Sequence, residues 1–209
     1  MTTTQGYLLV VDDIPDILKL LDATLKFKGY RVVTARNGQE ALEAIQQEHP
    51  ALVIADILMP KIDGFNLVHR LRLNPETRDI PVVFLSATYV SPEDKEFAIA
   101  IGVNRFIEKP VDLEQFLPMI EDILRQGAST EYESLSEIEF YEGYRKRLEA
   151  KLQHKITQIA RDQHLMETLS EAEKPTFDAT LHQALRDRDD IQLLLEEIRE
   201  RLEDLSKQE

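Results

Sequence analysis

Along the first part of the chain, short apolar runs alternate with stretches whose apolar residues recur every three or four positions. YLLVVD (Tyr7–Asp12), RVVTA (Arg31–Ala35), ALVIAD (Ala51–Asp56), PVVFLSA (Pro81–Ala87) and NRFIEKP (Asn104–Pro110) have strand length. The first and third are apolar throughout, as in a strand covered on both faces. Between them, Asp16 to Lys28 sets Ile17, Leu20, Leu21, Thr24 and Leu25 at helical spacing and stops at Gly29. Gly38 to Glu48 is helical through Ala41, Leu42 and Ile45, and a third helix is expected from about Phe65 to Leu73. Ser91-Pro92-Glu93 opens a fourth, with Ser91 at the cap and Pro92 at the first helical position. Leu113 to Leu124 supplies a fifth. Five strand-then-helix repeats predict a parallel sheet with helices on both faces.

The pattern changes after Gln126-Gly127-Ala128-Ser129-Thr130. Beyond it Val is absent, Gly is nearly so, and Glu, Leu, Arg and Gln dominate. One long helix is expected from about Leu135 to Leu169, with Tyr141, Leu148, Leu152, Ile156, Ile159 and Met166 on one face. The repeated four-residue step from Leu152 to Ile156 reads as a stutter. SEAEKP (Ser170–Pro175) interrupts the helix, because proline lacks the N–H a helix interior uses. In the helix that follows, Phe177, Leu181, Ala184, Arg188, Ile191, Leu195, Ile198, Leu202 and Leu205 step alternately by four and three. That is a heptad seam with one polar intruder, Arg188. Each helix would be roughly 50 Å long at the standard rise, too long and too amphipathic to stand without a partner. The chain therefore divides into an α/β domain over residues 1–126, a linker over 127–134, and an antiparallel helical hairpin or coiled coil over 135–209.

Composition narrows the function. Thirty-nine acidic residues against 25 Lys and Arg give a net charge of −14, which disfavours nucleic acid as a partner. The absence of cysteine removes disulfides, thiolate metal sites and thiol nucleophiles. No apolar run approaches the length of a membrane span, and the N-terminus lacks the basic start of a leader, so a cytoplasmic protein without membrane insertion is expected.

In a parallel sheet of this kind, ligands gather outside the carboxyl ends of the strands. The residues there are Asp12-Asp13, Asp56, Ser86 and Lys109-Pro110. Three close carboxylates repel one another, and a hard divalent cation such as Mg²⁺ is the natural complement. Asp56 could then act as a nucleophile toward a phosphoryl group. Lys109 would neutralise the transferring oxygens and Ser86 would donate to them. A serine-protease reading lacks a histidine at a neighbouring strand end.

The segments VVDD (Val10–Asp13), DILMPKIDG (Asp56–Gly64), LSA (Leu85–Ala87) and FIEKP (Phe106–Pro110), each ending or following a strand, make Gln5 to about Arg125 resemble the receiver domain of two-component response regulators. The resemblance implies a five-stranded doubly wound, flavodoxin-like fold and a phosphoacceptor at Asp56 served by a sensor histidine kinase. It implies Mg²⁺ held by Asp13, Asp56 and the Leu58 carbonyl, with Asp12 acting through water. Lys109 would pair with the acyl phosphate ahead of a cis Lys109–Pro110 bond. Ser86 and Phe106 would form a switch pair, and Ala87 would leave room for the phosphoryl group. Leu58 and Thr88 stand where members of the family often carry groups that orient the attacking water. Leu58 cannot hydrogen-bond through its side chain, so a long-lived acyl phosphate is expected.

For the helical region two outputs stand side by side. One is an interaction module, a homodimer through the helices or a docked protein target, governed by phosphorylation and doing no turnover beyond Asp56 phosphorylation and its hydrolysis. The other is a phosphorelay, with His154, His164 or His182 carrying the phosphoryl group. Arg188 is either a register device against a buried acid or a snorkelling side chain. Phe140, Tyr141 and Tyr144 are either a binding platform or packing at a domain junction.

Overall fold

Alternation of side chains between the two faces of the strands determines how the α/β domain is layered. The computed structural model describes residues 6–86, 92–127, 135–168 and 174–207. Five parallel strands, β1 (Leu8–Val11), β2 (Val32–Ala35), β3 (Leu52–Asp56), β4 (Val82–Ser86) and β5 (Arg105–Glu108), lie in the order β2-β1-β3-β4-β5. Every residue of β1, β3 and β4 is buried, as expected of central strands covered on both sides. The edge strand β5 has no fully buried residue.

Five helices connect and cover the strands: α1 (Pro15–Phe27), α2 (Gly38–Gln47), α3 (Gly64–Leu73), α4 (Pro92–Ala100) and α5 (Leu113–Gln126). Leu8, Val10, Leu52, Ile54, Val83 and Leu85 point to one face, where α1 contributes Leu18, Leu21 and Leu25 and α5 contributes Phe116, Ile120 and Ile123. On the other face Phe84 meets Phe65 of α3 edge-on at 5.3 Å, and Phe65 meets Phe97 of α4 at 5.4 Å. The expected strand-and-helix repeat is thus the observed one, with ends shifted by a residue or two. Ser91, the expected cap of α4, and Ala87 and Thr88 lie outside the described residues.

Local chemistry fixes several of these boundaries. Asn37, Asp63 and Asp112 cap α2, α3 and α5 by accepting from the backbone N–H of Glu40, Asn66 and Glu114. The Glu40 carboxylate in turn accepts from Arg36 N–H, one residue before the cap, and from the Asn37 side-chain amide. Gly64 opens α3 against the end of β3. A Cβ there would stand 2.5 Å from the Asp56 carbonyl oxygen, so no other residue fits without a shift.

The chain divides into two compact units, Met1–Leu135 and Ser136–Glu209. The second is built from α6 (Glu137–Thr168) and α7 (Lys174–Ser206). Ser136 and Glu139 start α6 with a reciprocal capping box. Pro175 falls in the first turn of α7, where its missing N–H costs no helical bond. The helices pack antiparallel. Ile159 clusters with Leu181 and Ala184, Lys155 pairs with Asp187 at 3.1 Å, and Glu137 pairs with Arg201 at 2.8 Å.

The seam of α7 is the expected one: Leu181, Ala184, Ile191, Leu195, Ile198 and Leu205 are buried. Arg188 snorkels, its guanidinium bent to its neighbour Asp189 at 2.5–2.8 Å. The face expected for α6 needs one correction. Ile156 is 41% exposed, and Lys155 takes its inward place. The four-carbon stem of lysine fills the seam while its ammonium reaches Asp187, an ion pair that isoleucine cannot supply. Phe140 meets Tyr141 edge-on at 5.1 Å and lies tilted against Tyr144 at 5.7 Å.

Candidate functional site

Strand register brings the key side chains together. Val10 pairs with Ile54 and Val11 with Ala55, so one residue further on Asp12 and Asp56 lie side by side at the ends of adjacent strands. Two strands away, Ile107 shares the face of Leu85, and alternation returns Lys109 to that same face. Lys109 Nζ lies 2.6 Å from Asp12 Oδ2 and 2.7 Å from Asp56 Oδ1. The remaining oxygens accept from the backbone, Asp12 Oδ1 from Ile14 N–H at 2.9 Å and Asp56 Oδ2 from Leu58 N–H at 2.8 Å. The Lys109–Pro110 bond is cis.

Ser86 and Phe106 fall on the opposite parity. Phe84 pairs with Phe106 in register, and their rings meet edge-on at 6.2 Å. Ser86 follows Phe84 by two positions and is buried, whereas Phe106 is half-buried. Backbone hydrogen bonding joins the two groups of residues, because Lys109 N–H donates to Ser86 O at 2.7 Å.

The ion cluster is nearly dry: the Lys109 and Asp12 side chains are 8% and 1% exposed. Burial pushes the Asp56 carboxyl above the usual carboxylate range. The Lys109 ammonium pulls against that push, and Asp12 adds to it. Burial works against the Lys109 ammonium too, but Asp56 and then Asp12 outweigh it and hold lysine above its ordinary value. Burial is thus the main cause of the rise at Asp56 and the two neighbouring carboxylates the main cause of the rise at Lys109, and two carboxylates against one ammonium leave the site with surplus negative charge.

That surplus bears on whether a divalent cation fits. Asp12 and Asp56 carry two carboxylates against one ammonium, Asp13 adds a third carboxylate at the same strand end, and all the donors are hard oxygens of the kind Mg²⁺ takes. The donor set fits. The expected convergence of three acids is met in part: Asp12 and Asp56 share Lys109, while Asp13 is exposed. Among the described residues no three acidic or imidazole groups are already gathered as an ion cage.

Two residues within the DILMPKIDG segment shape this edge. Gly64 sits against the Asp56 backbone. Lys61 adopts a left-handed φ of 67°, which its residue type does not announce. In the second unit, His182 is exposed and directs Nδ1 at Asp178, 2.8 Å from the carbonyl and 3.2 Å from Oδ2. His154 and His164 lie on exposed positions of α6.

Comparison with known proteins places this geometry. The model of the response regulator receiver domain matches residues 8–121. An uncharacterised 14.6 kDa protein from the sodA1 3′ region of Leptolyngbya boryana is 38% identical over 120 residues, 57% of this chain and 91% of that protein. The probable transcriptional regulator ycf27 of Cyanophora paradoxa is 37% identical over 126 residues, and the chain spans only 51% of that regulator's length. Among solved structures, the signal receiver domain of a signal transduction histidine kinase from Syntrophus aciditrophicus superposes with a TM-score of 0.54 at 31% identity, covering 63% of this chain and 97% of that one.

Proposed function

The chain belongs to the response regulator receiver family, and from that premise we propose that it is a phosphorylation-controlled interaction protein whose phosphoacceptor is Asp56. The observation that carries the reading is the buried Asp12–Lys109–Asp56 cluster at the strand ends. The phosphoryl group comes from a sensor histidine kinase, the partner that a receiver implies.

The chemistry asked of the residues is modest. An Asp56 carboxylate oxygen forms the new O–P bond as the donor's N–P bond breaks, and no proton has to leave the nucleophile. Lys109 is already within hydrogen-bonding distance of Asp56 and can follow the developing charge onto the phosphoryl oxygens. Asp13, Asp56 and the Leu58 carbonyl would hold Mg²⁺, with Asp12 through water. When bound, the ion supplies further charge neutralisation at those oxygens. Ser86 donates to the phosphoryl group and Phe106 turns behind it, on the shared parity that alternation gives them. Leu58, two residues after Asp56, carries no side-chain group to orient water, so hydrolysis is slow. Beyond this self-catalysed transfer and its reversal by water, the protein turns nothing over.

The output is the α6–α7 pair, and two copies would close it into a four-helix bundle in the cytoplasm. Two mutually packed helices of 32 and 33 residues, in a chain of net charge −14, support protein contact rather than DNA contact. The named transcriptional regulators are matched over about half of their length, so their output is theirs. Among the described residues no helix is long and apolar enough to cross a membrane.

Labelling with acetyl phosphate and Mg²⁺ tests the assignment. The expected label is base-labile, lies on Asp56 and is lost in Asp56→Asn. Undiminished label in that variant would overturn the assignment. A second reading has one observation behind it. Asp178 holds Nδ1 of the exposed His182, as a phosphorelay histidine that reacts through Nε2 would require. A base-stable label on His182 would favour that reading.

A further inference from the structure

Asn104 joins three parts of the receiver that the phosphorylation chemistry leaves unconnected. It stands just before β5, the strand that carries Phe106 and leads to Lys109. Its backbone N–H donates to Val82 O at 2.8 Å, and its side-chain Oδ1 accepts from Val82 N–H at 3.0 Å. Val82 begins β4, the strand that ends in Ser86. The side-chain amide points the other way, donating from Nδ2 to Gly127 O at 3.4 Å. Gly127 closes α5 with a φ of 80° and is the last described residue before segment 128–134 leads to the helical pair.

The two strands so bound are the ones that meet at the phosphorylation site. Lys109 N–H bonds Ser86 O at their carboxyl ends, and Asn104 bonds Val82 at their amino ends. β5 is an edge strand and, unlike β2 at the other edge, has no fully buried residue, which makes it the strand of the sheet least held by packing. A strand of this length is short and extended, so a shift at Lys109 is carried roughly 15 Å to Asn104 at the standard rise. The amide then passes it to the end of α5, because one face of the amide is bound to β4 and the other to Gly127.

We propose that Asn104 couples the state of the Asp56 site to the end of α5, and through it to the helical pair. The inference rests on phosphorylation controlling that pair, and it names the residue through which control leaves the receiver. A purely structural Asn104 would only fasten the base of β4, using Oδ1.

The two roles separate chemically. Asn104→Asp keeps an acceptor for Val82 N–H but loses the donor to Gly127 O, setting a carboxylate against a carbonyl at a helix C-terminus. Amide hydrogen exchange of α6 and α7 is measured in the full chain with Mg²⁺, before and after adding beryllofluoride as phosphoryl analogue. Wild type is expected to change exchange in the helical pair about tenfold, and Asn104→Asp less than about twofold. Acetyl phosphate labelling of Asp56 stays intact in the variant, which also reports that the receiver is folded. If Asn104→Asp unfolds the receiver, Asn104→Ser is used instead, since its hydroxyl serves Val82 N–H but is too short for Gly127. A wild-type-sized response in the variant overturns the role of Asn104 while leaving phosphorylation control standing. No response in wild type overturns that control and the role of Asn104 with it.

Discussion

The two units differ in what their cores enclose. In the receiver, β1, β3 and β4 are buried at every position, and the sheet is walled on both faces before its strands deliver Asp12, Asp56 and Lys109. In the helical pair a single seam is covered, while Leu165 and Leu193 remain 45% and 57% exposed. The first arrangement can hold two carboxylates and an ammonium in a nearly dry site, because a core walled on both faces offsets the cost of burying them. The second buries fewer apolar residues and is the more marginal of the two. On the proposed reading, chemistry resides in the first unit and response in the second.

Substitutions can break that comparison. Ile191→Asp puts an unpaired charge into the seam and is expected to cost the helical pair about 4 kcal/mol, read as lost helical circular dichroism with Asp56 labelling intact. If labelling fell equally, the units would not be energetically separate. Lys109→Met leaves two neighbouring buried carboxylates without their cation. The receiver transition in urea should fall by about 3 kcal/mol while the helical transition holds.

Smaller effects sharpen the contrast. Arg188→Leu completes the seam and should stabilise the helical pair by about 1 kcal/mol, because Arg188 spends its guanidinium on exposed Asp189. An unchanged or lower melting temperature would show that the seam has no room for the leucine. The smallest effect is a pH dependence. The Asp56 carboxyl titrates above its ordinary value of 3.8 in the folded state, so its contribution to stability is full below that pH and is lost as pH rises through the folded value. Asp56→Asn does not titrate and should therefore be the more stable protein at neutral pH, with the gap closing on acidification. A gap that widens toward acid would reverse the sign of the argument. Lys109 titrates above 10.5, and its contribution persists through neutrality and fades only in strong alkali.

Much of this was legible from sequence because it follows from period and strand-end position. Apolar runs such as LVIAD announce buried strands, and their terminal residues must then share one edge of the sheet. The 4-3 spacing from Leu181 to Leu205 gave the α7 seam directly. What was not legible depends on contacts between elements. Lys155 displaces Ile156 from the seam only because Asp187 stands opposite. Asp13 lies on the exposed rim while its neighbour Asp12 is buried, a consequence of side-chain alternation at the strand's last turn outward. The need for glycine at 64 comes from a clearance to the Asp56 carbonyl that no local pattern encodes.

Sedimentation velocity of the full chain with Mg²⁺, with and without beryllofluoride, tests most directly whether the dry site governs the marginal pair. The expected result is a shift toward a faster-sedimenting dimer on adding the analogue, absent in Asp56→Asn. An identical distribution in both conditions, with the analogue bound at Asp56, would contradict the account.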